Sequence, residues 1–177
     1  TTENVSARPY SAANVVTATN AARTKNGISV LKTNLTLEQA AAAKAKDMLE
    51  RQYFNHTSPS GQNSWAWLRL VNYQFTEAGE NLAKDFSNAT DLVNAWMSSS
   101  GHRRNMLNTK FDEVGMFVQD GTLNGVRTTI VVAFFGSRSI VEPPTPIPAT
   151  TQPNPSTTTS VQPSPWPCGP VVPTPTV

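Results

Sequence analysis

Cysteine is nearly absent from this chain of 177 residues, because Cys168 is its single example. The chain therefore has no internal disulfide, and the stability of its folded part must come from packing. Histidine is scarce as well, since His56 and His102 are the two in the sequence. Chemistry that depends on an imidazole group is thus restricted to two positions.

An excess of charge of one sign is also missing. The 14 basic and 12 acidic side chains leave a formal net charge of +2, and the basic residues are scattered along the chain. Proteins that bind nucleic acid usually concentrate their basic side chains in one patch or stripe. We therefore expect no nucleic-acid partner.

Long hydrophobic runs are absent too. The densest run, residues 130–135, has the length of a strand, whereas a transmembrane helix needs about 20 apolar residues. We therefore expect no transmembrane segment in this chain. The chain starts at Thr1 without a basic and apolar leader, which fits either a removed signal peptide or a trimmed chain.

Proline is concentrated at one end of the chain. Of the 14 prolines, 12 lie at or after Pro143, and Glu142 is the last charged residue. Sequence rich in Pro and Thr has too little apolar surface to offset the entropy of ordering the chain. We predict an N-terminal extension at 1–10, one folded domain at 11–141, and an extended linker or tail at 142–177.

Apolar residues at helical spacing predict two helices in the first third of the chain. The first begins at Ser11 and ends at residues 26–27, where Asn-Gly stops a helix. The second is predicted to begin at Thr36, because Thr36 and Gln39 have the spacing of a capping box. Its apolar face then predicts burial against a sheet or another helix.

Two further helices are predicted before residue 110. A short one carries the apolar residues of 65–71, and another is capped by Asn88 or Thr90 and ends near 98–101. The segments around both histidines have the small and polar residues of loops. Residues 75–83 are short and mixed in character.

The last part of the folded domain has a β pattern. Residues 114–119 and 128–135 are rich in β-branched and aromatic residues, and Gly121 and Asn124-Gly125 mark a turn between them. This pattern predicts a hairpin. The second strand is apolar on both alternating faces, so both faces should be covered. We therefore predict an α+β fold, a three-layer α-β-α sandwich.

Five short motifs follow one another in a recognisable order. They are NHTSPSG at 55–61, AGENLA at 78–83, AWM at 95–97, SGHRRNMLN at 100–108 and FDEVG at 111–115. In composition, order and spacing they resemble the bacterial, cysteine-poor members of the CAP superfamily, which groups cysteine-rich secretory, antigen 5 and pathogenesis-related 1 proteins. The resemblance covers roughly residues 15–136.

The resemblance implies an α-β-α sandwich with a central cleft lined by His and Glu side chains, in proteins that are usually secreted. Carried over by motif, the cleft residues are His56, Glu80, His102 and Glu113. Animal and plant members carry paired cysteines and place their second His before the first hairpin strand. Here Lys110 lies near that place, so His102 must take its part.

The residue types of this cleft leave three interpretations open. Two neutral imidazoles and a carboxylate, His56, His102 and Glu80, would suit zinc or another divalent cation if the fold brings them together. The same three side chains could instead hydrogen-bond one another and hold the loops in one arrangement. A hydrolase would need a nucleophile, and the serines near the histidines lack the Gly-x-Ser-x-Gly motif that would expose one.

The leading hypothesis from the sequence is a secreted or surface-tethered binding module, with the tail as a spacer. Its cleft would take an ion, a small ligand, a lipid or a cell-wall component. The alternatives are a metal-assisted or Ser-dependent hydrolase of peptide or cell-wall material, and a carrier of lipid or sterol. The carrier would need an apolar groove outside the cleft.

Overall fold

Five helices and four strands lie within residues 10–138, the part of the chain that this computed structural model describes. The tail predicted at 142–177, its boundary with the folded domain, Cys168 and residues 1–9 lie outside the described residues. In chain order the elements are α1 (Ala12–Lys25), β1 (Lys32–Thr33), α2 (Leu35–Glu50), α3 (Ser64–Leu70), β2 (Glu77–Lys84), α4 (Ala89–Ser98), α5 (Ser100–Met106), β3 (Glu113–Leu123) and β4 (Val126–Ser137).

The four strands form one sheet in the order β1-β3-β4-β2. Strands β3 and β4 form the predicted hairpin, and β2 pairs with the other side of β4, also antiparallel. The turn residues Asn124 and Gly125 both have positive φ, 51° and 81°, as the tight turn of a two-residue hairpin requires. Strand β2 therefore lies at one edge of the sheet, and the short β1 at the other.

Helices cover both faces of this sheet. Helices α2 and α3 pack on one face around Leu82, Val132 and Phe134, and α1, α4 and α5 pack on the other around Val131 and Phe135. All six residues of 130–135 are fully buried, as expected for a strand covered on both sides. The predicted three-layer α-β-α sandwich is confirmed. Among the described residues, no helix combines the length and the apolar character needed to cross a membrane.

The N-cap of helix α2 lies two residues before Thr36, the predicted cap. Asn34 is the N-cap, and its side-chain oxygen accepts hydrogen bonds from the backbone N–H groups of Thr36 and Leu37 at 2.9 and 3.1 Å. The amide nitrogen of Asn34 also donates to Glu113 at 2.8 Å. This second bond joins α2 to β3, so a tertiary contact selects the cap.

Two elements near the cleft differ from their prediction. Residues 77–84 form strand β2 instead of a mixed segment, and His102 lies in helix α5 instead of a loop. A methyl group at Gly79 would meet Asn105 and Phe111 at 2.9 Å, so glycine is required there for close packing. A strand interior with Gly and two polar residues has little β propensity, and tertiary contacts override that preference.

Arg23 joins the first helix to the segment that carries α5. Its side chain is fully buried in α1 and donates hydrogen bonds to the carbonyl groups of Ser29, Met106, Asn108 and Phe111, at 2.8–3.2 Å. The planar guanidinium can satisfy several acceptors at once, which a lysine cannot. The position of α5, and with it that of His102, is thus tied to α1.

Candidate functional site

Glu80 is at the centre of the candidate site. It lies in β2 opposite Phe134 of β4, so its side chain faces the layer of α2 and α3. The exposed fraction of this side chain is 2%, and both carboxylate oxygens have a partner. One oxygen contacts Nδ1 of His56, and the other accepts a bond of 2.5 Å from Nζ of Lys44.

Lys44 was not predicted as a site residue. It lies in the buried face of α2 and its side chain has no exposed surface. Besides Glu80, its ammonium contacts the backbone oxygen of His56 at 2.8 Å and the hydroxyl of Ser64 at 3.4 Å. Burial lowers the pKa of Lys44, although the Glu80 charge and hydrogen bond oppose this effect. The sequence feature that could have identified Lys44 is its position as a lone lysine among the alanines of an apolar helix face.

His56 is the exposed member of the pair that it forms with Glu80. It lies in the loop after α2, and 55% of its side chain is exposed. Its Nδ1 contacts a carboxylate oxygen of Glu80, and a carboxylate can only accept, so the tautomer that satisfies this contact has its proton on Nδ1. In the neutral ring Nε2 is then a bare hydrogen-bond acceptor, on the side of the imidazole opposite to Glu80.

The loop of His56 is held at several points. The carbonyl group of His56 also accepts from the hydroxyl of Ser64 at the start of α3, at 3.3 Å. Further along, Ser58 and Gln62 exchange two hydrogen bonds, of 2.9 and 3.1 Å. The imidazole is therefore attached to a loop that α2 and α3 both fix.

Asn81 connects the site to the opposite layer. Because neighbouring residues of a strand point to opposite faces, Asn81 faces α5 while Glu80 faces α2. Asn81 donates to the carbonyl group of His102 at 3.1 Å and accepts from Asn105 at 2.9 Å. The Gly79-Glu80-Asn81 motif thus places the carboxylate and fixes α5 at the same edge of the sheet.

His102 lies near the pair of His56 and Glu80 without a hydrogen bond between its ring and theirs among the described residues. Its ring is half-buried and lies 6.4 Å from the ring of Trp96, between centroids. Burial lowers the pKa of His102, and repulsion from His56 in its protonated form lowers it further. His102 is accordingly neutral at neutral pH.

Glu113 has other partners. Strand β3 is separated from β2 by β4, and the Glu113 carboxylate accepts from Asn34 and Tyr73 at 2.8 Å and from Arg138 at 3.1 Å. Burial favours the protonated form of Glu113, but these hydrogen bonds and the Arg138 charge outweigh it and lower the pKa. Its contacts join α2, β3 and residue 138 rather than the two histidines.

The predicted metal ligands do not form a metal-binding set. Among residues 10–138, no group of three or more His, Cys, Asp and Glu side chains is arranged to hold a metal ion. Glu80 already contacts an ammonium and an imidazole with its two oxygens. The donor set of His56, Glu80 and His102 therefore does not fit zinc as it stands.

Comparisons with known proteins agree with this fold. The family model described as the cysteine-rich secretory protein family, CAP, matches residues 16–134. The chain is 38% identical over 110 residues to the uncharacterized protein YkwD of Bacillus subtilis, an alignment that spans 62% of this chain and 43% of YkwD. It is 31% identical over 100 residues to the uncharacterized membrane protein YlbC of the same organism, spanning 56% of this chain and 29% of YlbC. The chain thus spans less than half the length of these relatives.

Solved structures of bacterial proteins share the architecture. An outer surface protein of Borrelia burgdorferi is 25% identical, with a TM-score of 0.61 and coverage of 71% of this chain and 90% of the Borrelia protein. An extracellular protein of Bacillus anthracis that contains an SCP domain is 27% identical, with a TM-score of 0.59 and coverage of 71% and 39%. The family model spans more than half of the chain, and the chain therefore belongs to the CAP family of cysteine-rich secretory proteins.

Proposed function

We propose that this CAP domain is an extracellular binding module whose site centres on Nε2 of the exposed His56 side chain. The supporting observation is the contact of His56 with Glu80, which selects the tautomer that leaves Nε2 free to accept. The half-exposed ring offers this acceptor to a ligand without any rearrangement of the loop. The ligand class that fits is a neutral small molecule with an N–H or O–H donor, as in peptides and sugars.

The surroundings of His56 support a neutral ligand. Lys44 and Glu80 compensate each other's charge, and the lowered pKa of His102 keeps that ring uncharged. The site thus has polar groups and little net charge. Soluble fragments of bacterial cell wall, which carry amides and hydroxyls, are the first ligands to test. An extracellular location is proposed because similar bacterial domains are extracellular or outer surface proteins.

The test is isothermal titration of the protein with disaccharide-peptide fragments of peptidoglycan. We expect binding by the wild type and a loss of at least about 10-fold in affinity for His56→Ala, about the value of one hydrogen bond to a ligand. Thr57→Ala is the matched control, because Thr57 is the next residue of the same loop and its side chain is exposed. Equal affinities of His56→Ala and the wild type would contradict the proposal.

The hydrolase hypothesis has less support from this geometry. His56 and Glu80 have the relation of a base and the group that orients it. However, none of the hydrogen bonds among the described residues joins a serine hydroxyl to a ring nitrogen of either histidine. Ser58 bonds with Ser60 at 3.0 Å, and Ser64 donates to a backbone carbonyl group. A nucleophile activated by His56 is therefore missing from these contacts.

A second candidate function, lipid carriage, is favoured by a groove on the other side of the sheet. The groove lies between α1 and α4, has a volume of about 650 Å³, and is open to solvent. Ala18, Val93 and Met97 supply apolar surface, and Lys25 and Arg103 add two cations to the lining. Apolar surface beside cationic side chains suits a lipid with an acidic head group.

Binding of a dansyl-labelled fatty acid, followed by fluorescence, tests this second function. We expect Ala18→Trp to fill the groove and weaken binding at least about 10-fold, as the loss of one or two buried methylene contacts already would. Ala13→Trp, at an exposed position of the same helix, should bind like the wild type. Equal binding by both variants, or none by the wild type, would rule out carriage in this groove.

A further inference from the structure

The oxygen atoms around the ammonium of Lys44 resemble a small cation site. Nζ of Lys44 lies 2.5 Å from Glu80 Oε2, 2.8 Å from the backbone oxygen of His56 and 3.4 Å from the hydroxyl of Ser64. These three oxygens come from a strand, a loop and a helix start, so the fold brings together acceptors from three separate segments of the chain. Carboxylate, carbonyl and hydroxyl oxygens are the ligand types that cations select in proteins.

A metal ion at Glu80 would have to compete with this ammonium. The ammonium is fully buried and bonded to one carboxylate oxygen, and the imidazole of His56 contacts the other. A second cation beside Lys44 would meet like-charge repulsion in a site with little solvent to screen it.

Binding of a metal to Nε2 of His56 would meet a different obstacle. Glu80 would then support the imidazole from behind instead of acting as a ligand. The histidines would be the two remaining donors, whereas zinc sites use at least three protein ligands. No described His, Cys, Asp or Glu side chain completes that set.

We infer that the Lys44 ammonium is the resident cation of this site and stands in the place of a divalent metal. The protein consequently takes up no zinc at Glu80 and His56, and Lys44 acts as the positioning residue that holds both. This inference concerns the same site as the proposed function but does not depend on it, because ligand binding at Nε2 and cation binding at Glu80 are measured separately.

The first experiment is isothermal titration of chelator-treated wild-type protein with zinc, alongside Glu80→Gln and His56→Ala. We expect the zinc titrations of the wild type and of Glu80→Gln to be the same at zinc concentrations up to about 100 μM. Zinc binding by the wild type that disappears in both variants would overturn the inference. This arm needs no variant of Lys44, so it decides the question even if such variants fold poorly.

The second experiment supplies the missing cation to Lys44→Ala. Propylammonium replaces the deleted part of the side chain, and we expect it to raise the melting temperature of the variant by at least about 3 °C. 1-Propanol, which has the same number of heavy atoms and no charge, should have no such effect. Propylammonium should also leave Lys46→Ala unchanged, because Lys46 is exposed on the same helix. If 1-propanol stabilises Lys44→Ala as well as propylammonium does, Lys44 only fills space, and the inference is wrong. If Lys44→Ala does not fold, the same comparison is made on its yield of refolding.

Discussion

Lys44→Met is expected to lower the free energy of unfolding by about 3–5 kcal/mol. Methionine has nearly the volume of lysine, so the variant removes the charge without opening a large cavity. The Glu80 carboxylate, 2% exposed, then loses its cationic partner while it remains buried. An unpaired buried charge costs several kcal/mol, far more than the intact pair contributes.

Urea denaturation of four proteins measures this effect. They are the wild type, Lys44→Met, Glu80→Gln and the double variant, which together form a double-mutant cycle. We expect the double variant to be more stable than Lys44→Met, because it no longer buries an uncompensated charge. Lys46→Met, with 71% of its wild-type side chain exposed, should stay within about 0.5 kcal/mol of the wild type. A loss below about 1 kcal/mol for Lys44→Met would contradict the buried ion pair.

Gly115→Ala is expected to cost about 3 kcal/mol or more of unfolding free energy. A methyl group at Gly115 of β3 would lie 2.2 Å from the backbone nitrogen of Glu38 and from the carbonyl carbon of Leu37. Both atoms belong to the backbone of the first turn of α2, which cannot turn away as a side chain does. The helix would have to move off the sheet, and Lys44 would move with it.

Thermal unfolding followed by circular dichroism measures this loss, with Gly101→Ala as the control. A methyl group at Gly101 would meet nothing within 4 Å, and the residue lies inside helix α5. Gly101→Ala should therefore have a slightly higher free energy of unfolding than the wild type, by up to about 1 kcal/mol. Equal melting temperatures of the two variants would show that the packing of α2 on β3 does not require glycine at position 115.

The sequence predicts the helices and the hairpin because their patterns are local. Ser11 caps α1 as its side chain suggests, and Asn88 caps α4. The β-branched and aromatic residues of 128–135 and the Asn124-Gly125 turn suffice to predict β4 and its pairing with β3. By contrast, β2 contains Gly79, Glu80 and Asn81, whose strand conformation depends on contacts with α2, α5 and β4.

For the site, the sequence supplied candidates and the tertiary structure selected among them. It brings His56 and Glu80 into contact, leaves His102 nearby, and gives Glu113 a separate set of partners. Residue types alone cannot show which of these side chains are in contact, because the partner of a carboxylate is whichever group the fold places next to it. The binding role of the four residues stays a prediction.

What the sequence determined by itself is the architecture, through hydrophobic periodicity, turn residues and caps that act over a few positions. What the tertiary structure decided is the chemistry of the cleft, through the placement of Lys44 against Glu80 over 36 positions of chain. The sequence shows a lysine on an apolar helix face but not its partner. That partner is whichever group the fold brings within a few ångströms of the buried ammonium.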